Sequence, residues 1–170
     1  MEFDYFTNGA GKDALIVPDG GCRNPFNEKS LIEYPDDNGI IRSRLHEKMD
    51  GLEVFSFATT TVPKSLKNLM DKFSIKQEDI NYLLLHQANK FLCEKIRKRM
   101  KFSEESTPYN IDRYGNTSGA SIPLLMLTEL RDKLQSETIN FLASGFGVGL
   151  SLGSVRFSTD RIICPPLMYL

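Results

Sequence analysis

Residues Ile80 to Leu85 form a continuous apolar run broken only by Asn81. Such a run suits a strand buried on both faces of a sheet that helices cover. The period changes at its end: Ala88, Leu92, Ile96 and Met100 recur every fourth residue, the spacing of one helix face. Strand and helix therefore join at His86. Upstream, Phe55, Ala58, Val62, Leu66, Leu69 and Phe73 recur at steps of three and four, which predicts a helix starting near Gly51. Pro63 should kink or divide it, because proline cannot donate the expected hydrogen bond. Gly115 to Leu134 reads as a further helix with Ser118 or Ser121 as its cap and Pro123 in its first turn. Its stretch from Leu124 to Leu130 is apolar almost all round, so it should be buried on most sides.

Ile139–Ala143 and Leu150–Phe157 are strand-like and are separated by Gly145-Phe146-Gly147-Val148-Gly149. A glycine turn there would bring backbone N–H groups within reach of a ligand. Near the start, Ala14–Val17 predicts a short strand running into a turn, and 21–50 an irregular excursion with one short strand near Ile40-Ile41. The tail Cys164-Pro165-Pro166 continues neither helix nor strand. The order of elements predicts an α/β sheet with helices on both faces.

The length of 170 residues fits one domain. Its 21 basic and 22 acidic side chains nearly cancel, so no global field draws it to nucleic acid or an anionic membrane. No apolar run approaches the roughly 20 residues of a membrane span, and the first residues lack a signal-peptide pattern. A cytoplasmic protein is expected. Cys22, Cys93 and Cys164 are odd in number and widely spaced, and His46 and His86 lie far apart. Neither a disulfide framework nor a metal centre is expected.

His86-Gln87-Ala88-Asn89 is followed about thirty residues later by Gly115-Asn116-Thr117-Ser118-Gly119-Ala120-Ser121-Ile122-Pro123, and both precede the glycine run. This combination resembles the ketoacyl-acyl-carrier-protein synthase III family, condensing enzymes of the thiolase fold, over roughly Gly9 to Phe157. The resemblance implies a thiolase-like half with a mixed five-stranded sheet covered by helices, residues 1–170 being the C-terminal domain. The half that carries the Cys nucleophile would be a separate N-terminal half. It also implies a decarboxylative Claisen condensation, in which His86 and Asn116 donate to the oxygen of a thioester enolate. Asn89, Phe146, Gly147 and Gly149 would contact substrate, and the basic helix face of Lys95, Lys98 and Arg99 would dock an acidic carrier.

Coenzyme A or phosphopantetheine thioesters are the implied substrates, acyl-carrier protein the implied partner, and a homodimer the implied full enzyme, with no cofactor or metal. From the residues alone, Asn89 and Gln87 read as helix cap and loop brace, Asn116 as a turn or cap residue, and the basic run as a solvated helix face. Two departures put the substrate in question: Leu152 where many relatives have Trp, and Phe91 where the fatty-acid-initiating enzyme has an Arg. None of the cysteines fits a nucleophile at a strand-to-helix turn. Alone, then, the chain is expected to be inactive in condensation. A non-catalytic partner shaping another synthase's acyl tunnel and a stand-alone malonyl-thioester decarboxylase are the alternatives.

Overall fold

The computed structural model describes residues 1–36 and 39–168. In chain order, β1 (Glu2–Thr7) and β2 (Leu15–Ile16) precede the excursion, which holds β3 (Tyr34–Pro35), β4 (Ile41–Arg42) and β5 (Lys48–Met49). Then come α1 (Gly51–Lys72), β6 (Tyr82–Leu85), α2 (Lys90–Met100), α3 (Ile111–Tyr114), α4 (Ser121–Glu129), α5 (Arg131–Ser136), β7 (Thr138–Gly147) and β8 (Ser151–Asp160). The main sheet has the order β1-β8-β7-β6. It is mixed: β6 runs parallel to β7, while β8 is antiparallel to both β7 and β1.

The alternation of side chains along β6 and β7 separates two cores. Leu83, Leu85, Leu142 and Leu152 face α1 and α2, with Val62, Leu66, Leu69 and Ile96. Leu84, Phe141, Ala143 and Ile139 face the other layer, with Leu125, Leu130 and Leu134. The near-continuous apolar run of β6 thus has the cause expected of it, a helix layer on each side.

Among the described residues four strands pair in the main sheet where five were expected. At the free edge of β6 the fifth position is taken by the segment around Ser106, whose carbonyl accepts a single bond, 2.8 Å, from Leu83 N–H. At the other edge, β1 was not expected at all. Its alternation places Phe6 against Phe57 of α1, with ring centroids 6.5 Å apart, while Phe3 and Tyr5 stack on each other on the opposite face, 44% and 74% exposed.

Pro63 does not divide α1, which is one helix of 22 residues with Pro63 buried inside it. The carbonyl that Pro63 cannot serve is that of Thr59, four residues earlier, and Arg99 of α2 donates to it at 3.0 Å. A side chain from the neighbouring helix thus replaces the missing backbone donor. The helix expected over Gly115 to Leu134 is shorter and broken. A single turn over Ser118–Ala120 leads into α4, and Leu130 leaves helical geometry before α5 begins. Nothing in the sequence at Leu130 explains that break. Leu125 and Leu130 are buried, while Ile122, Leu124, Met126 and Leu127 are only half-buried, so this domain does not cover every apolar face of α4.

The glycine segment is mostly strand, since β7 continues to Gly147 and only Val148 to Leu150 turn. Gly149 has φ +138° there, a conformation that side chains rarely adopt.

The excursion is tied down by Asp19, which is buried and accepts from Arg44 through both carboxylate oxygens, at 2.8 and 2.9 Å, and from Ser30 at 2.8 Å. The Arg44 hydrogen bond holds the Asp19 carboxyl below its ordinary range. The short pairs β2·β5 and β3·β4 flank this anchor.

The burial of one face of α1 gives a direct test. Leu66→Ala removes a side chain with no exposure and should lower unfolding free energy by about 2–5 kcal/mol. Leu52→Ala, on a side chain 80% exposed in the same helix, should change it by less than about 0.5 kcal/mol. Chemical denaturation of the two variants reads both values.

Candidate active site

His86 stands one residue past β6, where the strand's ladder still holds it: its N–H donates to Ser144 C=O of β7 at 3.0 Å. Its own carbonyl accepts from Ala88 N–H at 2.9 Å and from the Cys93 thiol at 3.4 Å. Gln87, fully buried, spans the junction by donating to Leu85 C=O at 2.8 Å and accepting from Asn110 N–H at 3.4 Å. Asn89 caps α2, its side-chain oxygen accepting from Leu92 N–H at 2.8 Å. Four successive residues, two of them polar side chains used internally, fix the point at which the histidine leaves the sheet.

Asn116 arrives from the other side of the sequence. Gly115 ends α3 with φ +66° and turns the chain. The Asn116 side-chain oxygen then accepts from Ser118 N–H at 2.9 Å, the local turn geometry asparagine favours. That bond orients the amide, so its N–H₂ is the group left for a ligand. The imidazole is anchored by the same segment: Nδ1 of His86 and Oγ of Ser121 lie 2.7 Å apart in a hydrogen bond. Phe146 packs edge-on to the ring, with centroids 5.3 Å apart and planes at 81°.

Both residues line one cavity of about 610 Å³, together with Asn89, Ser118, Ser121, Phe146 and Gly147. Apolar side chains close it from several elements: Leu15 and Met49 from β2 and β5, Val54 from α1, Leu92 from α2 and Ile122 from α4. Burial alone lowers the His86 pKa from its ordinary 6.5, so the ring is neutral at physiological pH. A neutral imidazole and a side-chain amide therefore line a mostly apolar space. Such a pair can stabilise an oxygen on which negative charge develops; His86 is half-buried there, while Asn116 is exposed. Among the described residues no group of three or more His, Cys, Asp or Glu is placed to hold a metal ion.

Of the residues expected at the site, His86, Asn116, Asn89, Phe146 and Gly147 come together. Gly149 does not line the cavity; Gly145 and Val148 of the same segment do. Lys95, Lys98 and Arg99 lie on the exposed side of α2, outside the cavity. Sequence reasoning missed the contribution of the excursion, whose Glu47 and Met49 reach the cavity wall, and it read Ser121 only as a cap. No periodic signal could have placed Glu47. A second cavity, about 360 Å³, lies within the excursion against Tyr34, Arg42 and His46 and holds neither donor.

No cysteine lines the His86 cavity. Cys22 is exposed, while Cys93 and Cys164 are buried. Burial pushes the Cys93 thiol up to about 12, which removes the thiolate form a nucleophile requires.

Comparison with known proteins places the chain in a family. The family described as 3-Oxoacyl-[acyl-carrier-protein (ACP)] synthase III C terminal matches residues 70–158. The beta-ketoacyl-[acyl-carrier-protein] synthase III of Fusobacterium nucleatum is 37% identical over 152 residues, covering 88% of this chain and 44% of that protein. The enzyme of the same name from Prochlorococcus marinus is 42% identical over 139 residues, covering 81% and 41%. Among solved structures, a 3-oxoacyl-(acyl-carrier-protein) synthase III superposes with a TM-score of 0.85 at 31% identity, over 95% of this chain and 47% of that one. A 3-oxoacyl-(acyl-carrier protein) synthase from Burkholderia xenovorans gives 0.82 at 36%, over 94% and 44%. The chain therefore spans under half the length of these relatives. It belongs to the synthase III C-terminal family, and its fold is thiolase-like.

The burial of His86 makes a measurable claim. Its folded pKa lies below the ordinary imidazole value, so the unfolded chain takes up the proton first as pH falls. Stability should therefore decline as pH drops below about 6.5, and His86→Gln should remove that part of the decline. NMR titration of the His86 ring should give a midpoint under 6.5, its ordinary value.

Proposed function

We propose that this chain forms the malonyl-binding wall of a 3-oxoacyl-[acyl-carrier-protein] synthase III-type condensing enzyme. In the reaction, the bond between the malonyl α-carbon and its carboxylate breaks, carbon dioxide leaves, and the electron pair passes into a thioester enolate. The α-carbon then attacks an acyl thioester held on a cysteine, forming a carbon–carbon bond as the cysteine thiolate departs. The imidazole of His86 and the amide of Asn116 donate to the enolate oxygen. That charge exists only near the transition state, so the two hydrogen bonds accelerate decarboxylation and do not merely tighten binding. The observation that carries this reading is that both residues line one cavity, with the Asn116 side-chain oxygen accepting from Ser118 N–H and His86 Nδ1 sharing a hydrogen bond with Ser121 Oγ.

Phe146, Gly147 and Asn89 contact the thioester arm. The scheme requires no metal or cofactor, only coenzyme A or phosphopantetheine thioesters. The cysteine comes from a second, N-terminal-type half, since none of the chain's own three fits the role. Acyl-carrier protein docks on the exposed face of α2. Arg97 is withdrawn from that face by ion pairs to Glu94 and Glu104, and Arg99 is engaged by Thr59. Lys95, poised over the ring of Phe91 with its Nζ 5.1 Å from the centroid, and Lys98 remain to meet an acidic partner. The complete enzyme is a cytoplasmic homodimer.

The test separates the two half-reactions in an enzyme that joins this half to a cysteine-bearing one. His86→Ala and Asn116→Ala should each depress malonyl decarboxylation by about 10²–10³ and leave acyl loading of the cysteine nearly intact. The double variant should lose less than the product of the single effects, because the pair acts as a unit. Equal loss of loading and decarboxylation in His86→Ala would show that the histidine serves the cysteine instead. The 170-residue chain alone should form no acyl adduct and release no carbon dioxide; release without an adduct would favour the stand-alone decarboxylase.

A further inference from the structure

We propose that Ser121 is a positioning residue whose hydroxyl donates to Nδ1 of His86 and so holds the imidazole as the tautomer with its hydrogen on Nε2. The proposal deepens the function above and rests on it, because the tautomer decides what the ring can offer a ligand. With the hydrogen on Nε2, His86 is a neutral donor into the cavity. With the hydrogen on Nδ1, it would present a bare nitrogen, a base suited to activating a thiol.

The direction of the bond follows from satisfying every polar atom. The two atoms are 2.7 Å apart, and either could donate. Ser121 is 2% exposed, and among the described residues Nδ1 is the one hydrogen-bond partner of its hydroxyl. If Nδ1–H donated to Oγ, the serine hydrogen would be buried with no protein acceptor, a desolvation penalty of about 1–3 kcal/mol. If Oγ–H donates to Nδ1, both atoms are satisfied and the ring hydrogen stands on Nε2.

Local structure leaves the hydroxyl available for this role. Ser121 opens α4, yet the helix takes no side-chain cap and its N-cap position is Ala120. A serine at a helix start ordinarily spends its oxygen on the helix's own N–H groups. Here the oxygen reaches across 35 positions of sequence to the histidine instead. Phe146, edge-on at 5.3 Å, resists the ring flip that would exchange Nδ1 for a carbon.

The experiment reads the tautomer directly. In the ¹⁵N-labelled 170-residue chain at a pH above 7, a long-range proton–nitrogen correlation spectrum distinguishes bare from protonated ring nitrogens. His46→Gln assigns the two histidines, and His46, whose Nδ1 accepts from Ser43 N–H at 2.8 Å, supplies a reference for a bare Nδ1. The expected spectrum shows His86 with a bare Nδ1 and a protonated Nε2; a protonated Nδ1 overturns the proposal. In Ser121→Ala the two His86 resonances should shift toward each other as the second tautomer becomes populated, and Ser121→Thr should restore the separation. An unchanged spectrum in Ser121→Ala would overturn it as well. Collapsed amide dispersion would reveal an unfolded Ala variant, in which case the wild-type and Thr spectra decide. No substrate is involved, so a failure of the condensation scheme leaves this result standing, and the reverse holds.

Discussion

The site depends on one constraint: each candidate donor is held through its acceptor atom. An asparagine amide free to rotate by half a turn would present oxygen or nitrogen with equal ease, and an imidazole free to exchange its hydrogen would present donor or acceptor. Ser118 N–H fixes the Asn116 oxygen at 2.9 Å, and Ser121 Oγ holds the His86 nitrogen at 2.7 Å. One stretch of six residues, Asn116 to Ser121, therefore sets both polarities. The donors cost nothing to reorganise when charge appears, which is what separates a preorganised site from a polar pocket. The motif's two serines thus act through the donors they orient.

That stretch would be useless if the histidine were not placed with similar care. Its N–H extends the parallel ladder beyond β6 to Ser144 C=O, and at the other end Asn81 N–H reaches Asn140 C=O at 2.9 Å. The strand is thus clamped to β7 at both ends. The Ser144 hydroxyl belongs to a buried polar chain on the α1 side, accepting from Ser154 at 3.2 Å, while Ser65 of α1 reaches Ser154 at 3.0 Å and Asp4 of β1 at 2.5 Å. A slip of one residue in β7 or β8 would turn these serines into the opposite core, among Phe141 and Ala143. The polar chain thus helps specify register, and register specifies where His86 emerges.

Much of this was legible in the sequence, for physical reasons that also mark the limit. The buried run of β6, the four-residue period of α2 and the long face of α1 were readable because burial on a fixed side imposes a period. The sheet edges were not. β1 has aromatic residues on both faces because one face meets α1 and the other is exposed, and the segment at Ser106 keeps a single ladder bond, so neither shows alternation against a core. Pro63 misled because its penalty is relieved by Arg99, 36 positions away in the sequence and invisible to any local rule. His86 and Asn116 were singled out through their motifs, and both line one cavity. The hydrogen bond from Ser121 to the ring and the reach of Glu47 are tertiary facts that no spacing encodes.

The cysteines show how far proximity is from reactivity. Cys93 lies close to the histidine, its thiol on the His86 carbonyl at 3.4 Å, yet burial raises its pKa to about 12. At neutral pH essentially none of it is thiolate. Its hydrogen is engaged by a backbone oxygen, and it does not line the cavity that His86 lines. The same burial that silences Cys93 lowers the His86 pKa and keeps the ring neutral, because burial disfavours every charged form that lacks a partner. Burial thus leaves this chain with a neutral imidazole lining the cavity, and none of its three cysteines lines that cavity.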